Sequence, residues 1–340
     1  MTTSLLDTAK SMTQGIFEAV RAVSRETPLL NSAALDELAG FRLFVKAESL
    51  QHTGSFKLRG AFYRLMHLEP AQRRKGVVAY SSGNFAQGLA RAGQILGIPV
   101  TIVMPADVPP MKVLGTRRFG AEVVFTTPDG RPREVVAAEM AASLAESQDL
   151  ALLHPYNDSD VVLGHSSLGT EVLQQLESAG EDCPLDTLLV PAGGGGLVAG
   201  IALALRAHGS TTRLIAVEPT GFDDLARSLA TGVIHRNETP SPTLCDALQA
   251  ISPGAVPFAV LKEALSSALN VTDDEVKFAM RTAADYLKLV LEPSGASALA
   301  AALAAKARGY DLGERVGVIC SGGNIAADDF ARLVSEVPRH

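Results

Sequence analysis

Residues 77–104 read VVAYSSGNFAQGLARAGQILGIPVTIVM, and the order of apolar runs in this stretch decides the fold. Val77 to Ser81 and Val100 to Met104 are short, β-branched runs bounded by turn residues, the pattern of buried strands. Between them, Asn84 to Leu96 carries apolar residues at helical spacing. Two strands separated by one helix form a parallel crossover unit, because a parallel pairing needs a connection long enough to bring the chain back to the same edge.

The alternation continues in both directions. Toward the carboxyl end, Pro110 to Phe119 reads as a helix, Glu122 to Thr126 as a strand, Glu134 to Ser147 as a helix and Ala151 to Leu153 as a short strand. A second series follows: a helix from near Asp160 to about Ser178, strand Thr187 to Val190, helix Leu197 to Arg206 and strand Leu214 to Val217. Thr272 with Glu275 forms a capping box that opens a further helix. The Ala-rich run Ser294 to Arg308 is helical by propensity, strand Val316 to Ile319 follows, and a last helix ends near Val334. Toward the amino end, Ser11 to Ser24 is a helix closed by Pro28, with a connector toward Phe41, a strand Arg42 to Ala47 and a helix from Gly60 to Leu68. The expectation is an α/β protein of two doubly wound domains, each a parallel sheet flanked by helices. Residues 1–75 and 157–340 make a large cofactor-binding domain, and residues 76–156 a small substrate-binding domain inserted into it.

Composition agrees with that architecture. A chain of 340 residues suits about two domains. Hydrophobic residues at 47% and charged residues at 20% are those of a globular protein. A net charge of -7 argues against a broad nucleic-acid footprint. The three cysteines (Cys183, Cys245, Cys320) are scattered without metal-ligand spacing, which predicts reduced thiols and a cytoplasmic setting. The first residues lack a basic segment followed by an apolar core, so no secretory signal is read there. The apolar stretch Leu188 to Leu205 is interrupted by Pro191 and four glycines, which makes it a strand, a loop and a helix rather than a membrane span.

Three glycine-containing loops fall at the carboxyl ends of expected strands, where open α/β sheets place their ligands. They are Ser81-Ser82-Gly83-Asn84, Gly193-Gly194-Gly195-Gly196 and Ser321-Gly322-Gly323-Asn324. Four glycines entering a helix expose backbone N–H groups at a positive helix end, which suits a phosphate dianion. No Gly-Lys-Ser/Thr follows, so this is not a nucleotide P-loop, and a ligand-free strand-to-helix turn is the alternative. Residues 53–61, TGSFKLRGA, set Lys57 among small residues. A desolvated amine loses basicity and serves as a nucleophile or base, whereas an ordinary surface lysine at a helix start would not. A phosphate cradle and a sheltered lysine together describe a cofactor with a phosphate and an aldehyde, for which pyridoxal 5′-phosphate is the candidate.

TGSFKLRGA, SSGNFAQG, GGGGL, EPSGA (Glu292 to Ala296) and SGGN stand in the order and spacing of the fold-type II, tryptophan synthase β-like pyridoxal-phosphate enzymes. From about Pro28 to Asn324 the chain resembles the threonine/serine dehydratase and serine racemase group. The resemblance implies that Lys57 carries the cofactor as a Schiff base and that Phe56 lies against its ring. It further implies that Asn84 bonds the ring hydroxyl, that Gly193, Gly194, Gly195, Gly196 and Leu197 hold the phosphate, and that Ser321 faces the ring nitrogen. A serine there leaves the ring nitrogen largely uncharged, which suits β-elimination. Ser81, Ser82 and Asn84 open a helix that can bind the substrate carboxylate, with Phe85 beside them. Ser82 matches a hydroxyl that acts opposite the lysine in serine racemases, or it only caps the helix. Arg133 matches an arginine used toward a second substrate carboxylate, with Arg131 as its neighbour. Glu218, the Phe222 carbonyl and Asp224 match the group's divalent-cation site, for Mg²⁺ or alternatively Ca²⁺ or Mn²⁺. A homodimer is the implied assembly.

The implied activity is that of an ammonia-lyase dehydrating L-serine, L-threonine or a related β-hydroxy amino acid to a 2-oxo acid and ammonia. The alternatives are an amino-acid racemase, a 3-hydroxyaspartate dehydratase, or a cofactor-binding protein without turnover. The sequence departs from the group's pattern at Phe85, where a histidine is common, and at His165-Ser166-Ser167, where Gln-Gly-Thr is common. His154 is expected to be structural.

Overall fold

The structure, a computed structural model, describes residues 5–127, 130–131, 133–180, 184–238, 241–265 and 267–337. Cys183 lies outside the described residues. Among those residues ten strands fall into two sheets. The larger sheet is built from β1 (Leu29–Leu30), β2 (Arg42–Ala47), β7 (Thr187–Pro191), β8 (Arg213–Pro219), β9 (Ser267–Val271) and β10 (Arg315–Cys320), in the order β1-β2-β10-β7-β8-β9. All of its pairings are parallel except that of β1 with β2. The smaller sheet is wholly parallel, with β3 (Val77–Tyr80), β4 (Val100–Met104), β5 (Glu122–Phe125) and β6 (Ala151–Leu152) in the order β5-β4-β3-β6.

Helices cover both faces. In chain order they are α1 (Leu5–Arg21), α2 (Ala33–Ala39), α3 (Lys57–Met66), α4 (Pro70–Lys75), α5 (Asn84–Leu96), α6 (Pro110–Arg117) and α7 (Arg133–Gln148). They continue with α8 (Ser159–Ser178), α9 (Gly196–Ala207), α10 (Asp224–Thr231), α11 (Ala255–Ala264), α12 (Asp273–Thr282), α13 (Pro293–Ala304) and α14 (Ala327–Ser335). The strands of the large sheet are apolar on both sides, and successive residues divide between two cores. Leu188, Val190, Leu214 and Ala216 pack with α8 and α9, while Leu189, Ile215 and Val217 pack with α12 and α13. This is the period-two division that a doubly covered sheet imposes. The first of these cores runs on through α3 and α5 into the small sheet, so one apolar body joins the two sheets.

The structure adds elements that the sequence reading did not place. The connector toward Phe41 contains β1 and α2. β9, with sequence SALNV, is a half-exposed border strand whose Ser and Asn blur the apolar signal. α11 carries Pro257 in its first turn, where a proline is tolerated but reads as a breaker. α3 begins at Lys57 rather than at Gly60. The capping box of Thr272 and Glu275 has both of its reciprocal bonds. Among the described residues no helix is long and apolar enough to cross a membrane.

Candidate active site

The lysine loop and the Ser321–Asn324 loop leave adjacent parallel strands at level ends, since Cys320 of β10 pairs with Ala47 of β2. They then bond to each other: Phe56 N–H donates to the Ser321 carbonyl at 3.2 Å, and Gly323 N–H to the Gly54 carbonyl at 2.9 Å. Asn324 Nδ2 reaches the Thr53 carbonyl at 2.9 Å and Asn84 Oδ1 at 2.7 Å. Asn84 belongs to the small sheet's first helix, so this bond joins the two sheets. Its Nδ2 donates to Glu292 Oε1 at 2.6 Å, which adds the EPSGA segment to the same cluster. α5 approaches α3 closely at Gly88, where a Cβ would stand 2.8 Å from the Lys57 carbonyl carbon. A side chain there would force SSGNFAQG away from the lysine.

Lys57 is the first residue of α3. Its Nζ donates to the Pro155 carbonyl at 3.0 Å and stands 5.0 Å from the Phe56 ring centroid and 5.7 Å from that of Phe85. Burial among these groups lowers the amine from 10.5 to about 8. Phe85, where the related motif has histidine, thus walls the amine with hydrocarbon.

The glycine loop lies on the other side of the same turn. Tyr156, next to the Pro155 that binds the lysine, packs so closely on Gly194 that a Cβ there would collide with its ring. Gly195 has φ +88 and heads α9, a conformation that costs glycine nothing. Gly195 and Gly196 open α9, whose first N–H groups have no carbonyl one turn back within the helix to bond. Ser321 is buried just beyond the end of β10. Ser81 and Ser82 are half-buried ahead of α5, and Ser81 Oγ accepts from Gly83 N–H at 3.3 Å.

Other expected residues fall elsewhere. Arg133 is 59% exposed and pairs with Asp107 at 2.9 Å on the rim of the small sheet, while Arg131 pairs with Glu139. Ser166 and Ser167 spend their hydroxyls on carbonyls of their own helix. His165 is fully buried edge-on to Phe56, with ring centroids 4.8 Å apart and neither nitrogen bonded. Burial, with Lys57 and Arg59 nearby, drives its pKa well below 6.5. His154 accepts from Asn157 N–H at 3.0 Å and closes its own turn.

Glu292 received no role from the sequence, although it stands in a quoted motif. Burial first, then Asp246, pushes its carboxyl up to about 8, so at neutral pH it is mostly protonated beside Asn84. A lone acid directly before a helix-opening proline, inside an otherwise apolar run, was the available signal.

Glu218 and Asp224 come together beyond β8. Glu218 accepts from Leu225 N–H at 2.8 Å and Ala226 N–H at 2.9 Å, at the head of α10. Asp224 Oδ1 accepts from Asn237, and its Oδ2 is buried without a hydrogen bond. Burial raises Glu218 to about 8 and Asp224 to about 6. Among the described residues no group of three or more His, Cys, Asp or Glu side chains forms a metal cluster, so a cation here would need backbone and water oxygens as well.

Comparison with known proteins shows the family of the chain. Residues 20–322 match the family model described as "Pyridoxal-phosphate dependent enzyme". The chain is 41% identical over 317 residues to an L-threo-3-hydroxyaspartate ammonia-lyase of Pseudomonas sp, covering 93% of this chain and 95% of that relative. It is 33% identical over 311 residues to a serine racemase of Dictyostelium discoideum, covering 91% and 93% of the two chains. Among solved structures, a threonine deaminase from T.th. superposes with a TM-score of 0.85 at 40% identity, covering 93% of this chain and 98% of that one.

Proposed function

The chain belongs to the pyridoxal-phosphate dependent enzyme family, and from that premise we propose that it is an ammonia-lyase acting on a small β-hydroxy amino acid, with a 2-oxo acid and ammonia as products. The observation that carries the reading is Lys57: a lysine amine lowered to about 8 by burial, held on the Pro155 carbonyl, with the glycine loop on the far side of the same turn. The donor set fits the cofactor, since unpaired N–H groups suit an anion and a weakened amine suits an aldehyde. Pyridoxal phosphate, when bound, supplies a ring that draws electrons from the amino acid's α-carbon.

The chain's own residues do the rest. Gly193 to Leu197 would hold the phosphate, Phe56 would lie against the ring, Asn84 would bond its hydroxyl and Ser321 its nitrogen. Ser81, Ser82 and the first N–H groups of α5 would orient the substrate carboxylate. With its amine's pKa lowered toward neutral, Lys57 can take the α-proton at physiological pH. Phe56 and Phe85 set hydrocarbon on two sides of that amine. Ser82, half-exposed ahead of α5, supports a second reading in which a proton is delivered to the opposite face and the amino acid is racemised. Glu218, the Phe222 carbonyl and Asp224 would hold a divalent cation, of which the unbonded Asp224 Oδ2 is the supporting observation.

A 2-oxo acid assay over serine, threonine, 3-hydroxyaspartate and phenylserine tests the reading. Turnover of at least one, abolished by Lys57→Ala, is expected. A cofactor-loaded chain that yields no 2-oxo acid from any of them, and racemises none, would overturn it.

A further inference from the structure

One ion pair outside the catalytic cluster crosses from one sheet to the other. Lys112, in the first turn of α6, meets Asp246 at 2.7 Å. Asp246 belongs to the turn 245–248, whose Ala247 N–H bonds Ser294 Oγ at 3.0 Å, and whose Leu248 Cα would stand 3.1 Å from a Cβ placed on Gly193. That turn therefore rests on both the glycine loop and the segment bearing Glu292. On the small-sheet side, α6 leans on α5, the helix opened by Asn84, where Gly115 faces Gln87. The pair thus borders the glycine loop and the Glu292 segment, and the charges of both Lys112 and Asp246 are felt at Glu292.

Arg133, on the same side, is 59% exposed and paired with Asp107 of its own sheet, whereas Lys112 is 32% exposed and reaches across to Asp246 on the large-sheet side. An exposed pair of this kind contributes little to stability, so Asp246 is readily exchanged for another carboxylate that brings its own charge to the amine.

We propose that Lys112 is a specificity-determining residue, whose ammonium leaves Asp246 to take the side-chain carboxylate of a dicarboxylic amino acid entering the cleft. This rests on the lyase reading for the identity of the substrate, not for the existence of the subsite. A monocarboxylic substrate such as serine has nothing to offer Lys112 and leaves the pair closed.

The test compares the cofactor-loaded parent with Lys112→Met and Asp246→Asn. In Lys112→Met the ratio of kcat/KM for 3-hydroxyaspartate over serine falls about tenfold or more, carried mainly by KM, because only the dianion loses a partner. In Asp246→Asn the same ratio rises, since the competing anion is gone. A pair that only latches the two sheets would move both substrates together in both variants, and that result overturns the proposal. Calorimetric binding of succinate against propionate gives a second readout that needs no turnover. The parent should prefer succinate and Lys112→Met should lose that preference. Succinate preference without 2-oxo acid formation would sink the lyase reading alone, whereas equal binding of the two acids by the parent would sink the assignment of Lys112.

Discussion

Two sets of buried carboxylates sit within the large sheet's layers, and they differ in whether the protein supplies the counter-charge. Glu48 and Glu171 share Arg59 in four hydrogen bonds of 2.8 to 3.0 Å, and Lys46 adds a bond to Glu171 at 2.6 Å. Thr27 and Gln175 complete the donors and acceptors around them. Burial would push Glu171 up, but Arg59 and Lys46 outweigh it and hold its carboxyl below the ordinary value. Glu218, Asp224 and Glu292 receive no comparable cation, and burial drives all three upward. The balanced set is finished as it stands and ties α3, the helix that opens with Lys57, to α8 and β2. Only the unbalanced set lacks a protein cation strong enough to hold its carboxylates ionised against burial.

The comparison can be broken most severely at the balanced set. Glu171→Gln leaves Arg59 and Lys46 buried with half their compensation, and should cost about 3–5 kcal/mol in urea denaturation. A loss below about 1 kcal/mol would mean that the ion cluster is not closed in solution. The unbalanced pair should respond in the opposite sense. Adding Mg²⁺, Ca²⁺ or Mn²⁺ should stabilise the chain by about 2.7 kcal/mol at ~100 times the dissociation constant, and Asp224→Asn should abolish the gain. Equal stabilisation of the variant would show that Glu218 and Asp224 only cap α10.

The smallest effect concerns Glu292. Its folded pKa of about 8 lies above the unfolded value of 4.5, so the folded state keeps a proton that the unfolded chain has lost, and stability falls as pH rises between those values. In the cofactor-free chain, Glu292→Gln should remove about 1–2 kcal/mol of the decline between about pH 5 and about pH 6.5. An unchanged slope would place the ionised carboxylate, not the acid, beside Asn84.

How much of this the sequence disclosed follows from how local each feature is. β3 with α5 and β4 was legible because strand and helix periods change cleanly within one short stretch. Lys57 and the glycine loop could be proposed from the sequence because their chemistry is packed into consecutive residues, and the structure sets both against the turn of Pro155 and Tyr156. Glu292 was not, since its partner Asn84 lies 208 residues away and neither local pattern announces the bond. The same holds for Arg59 and Glu171, 112 residues apart. Tyr156 and the Pro155 carbonyl were missed because a tight turn against Gly194 depends on the approach of two sheets. Arg133 was singled out by resemblance to related enzymes, whereas Lys112, in a helix turn with no distinguishing neighbours, gave no local signal of its bond to Asp246, 134 residues away.

The central claim is that one amine, that of Lys57, carries the cofactor. Borohydride reduction of the cofactor-loaded chain, followed by peptide mass mapping, tests it directly. A pyridoxyl-phosphate mass increment on the peptide bearing Lys57, lost in Lys57→Ala, is the result predicted. An increment on any other lysine, or a loaded chain from which no peptide gains that mass, would contradict it.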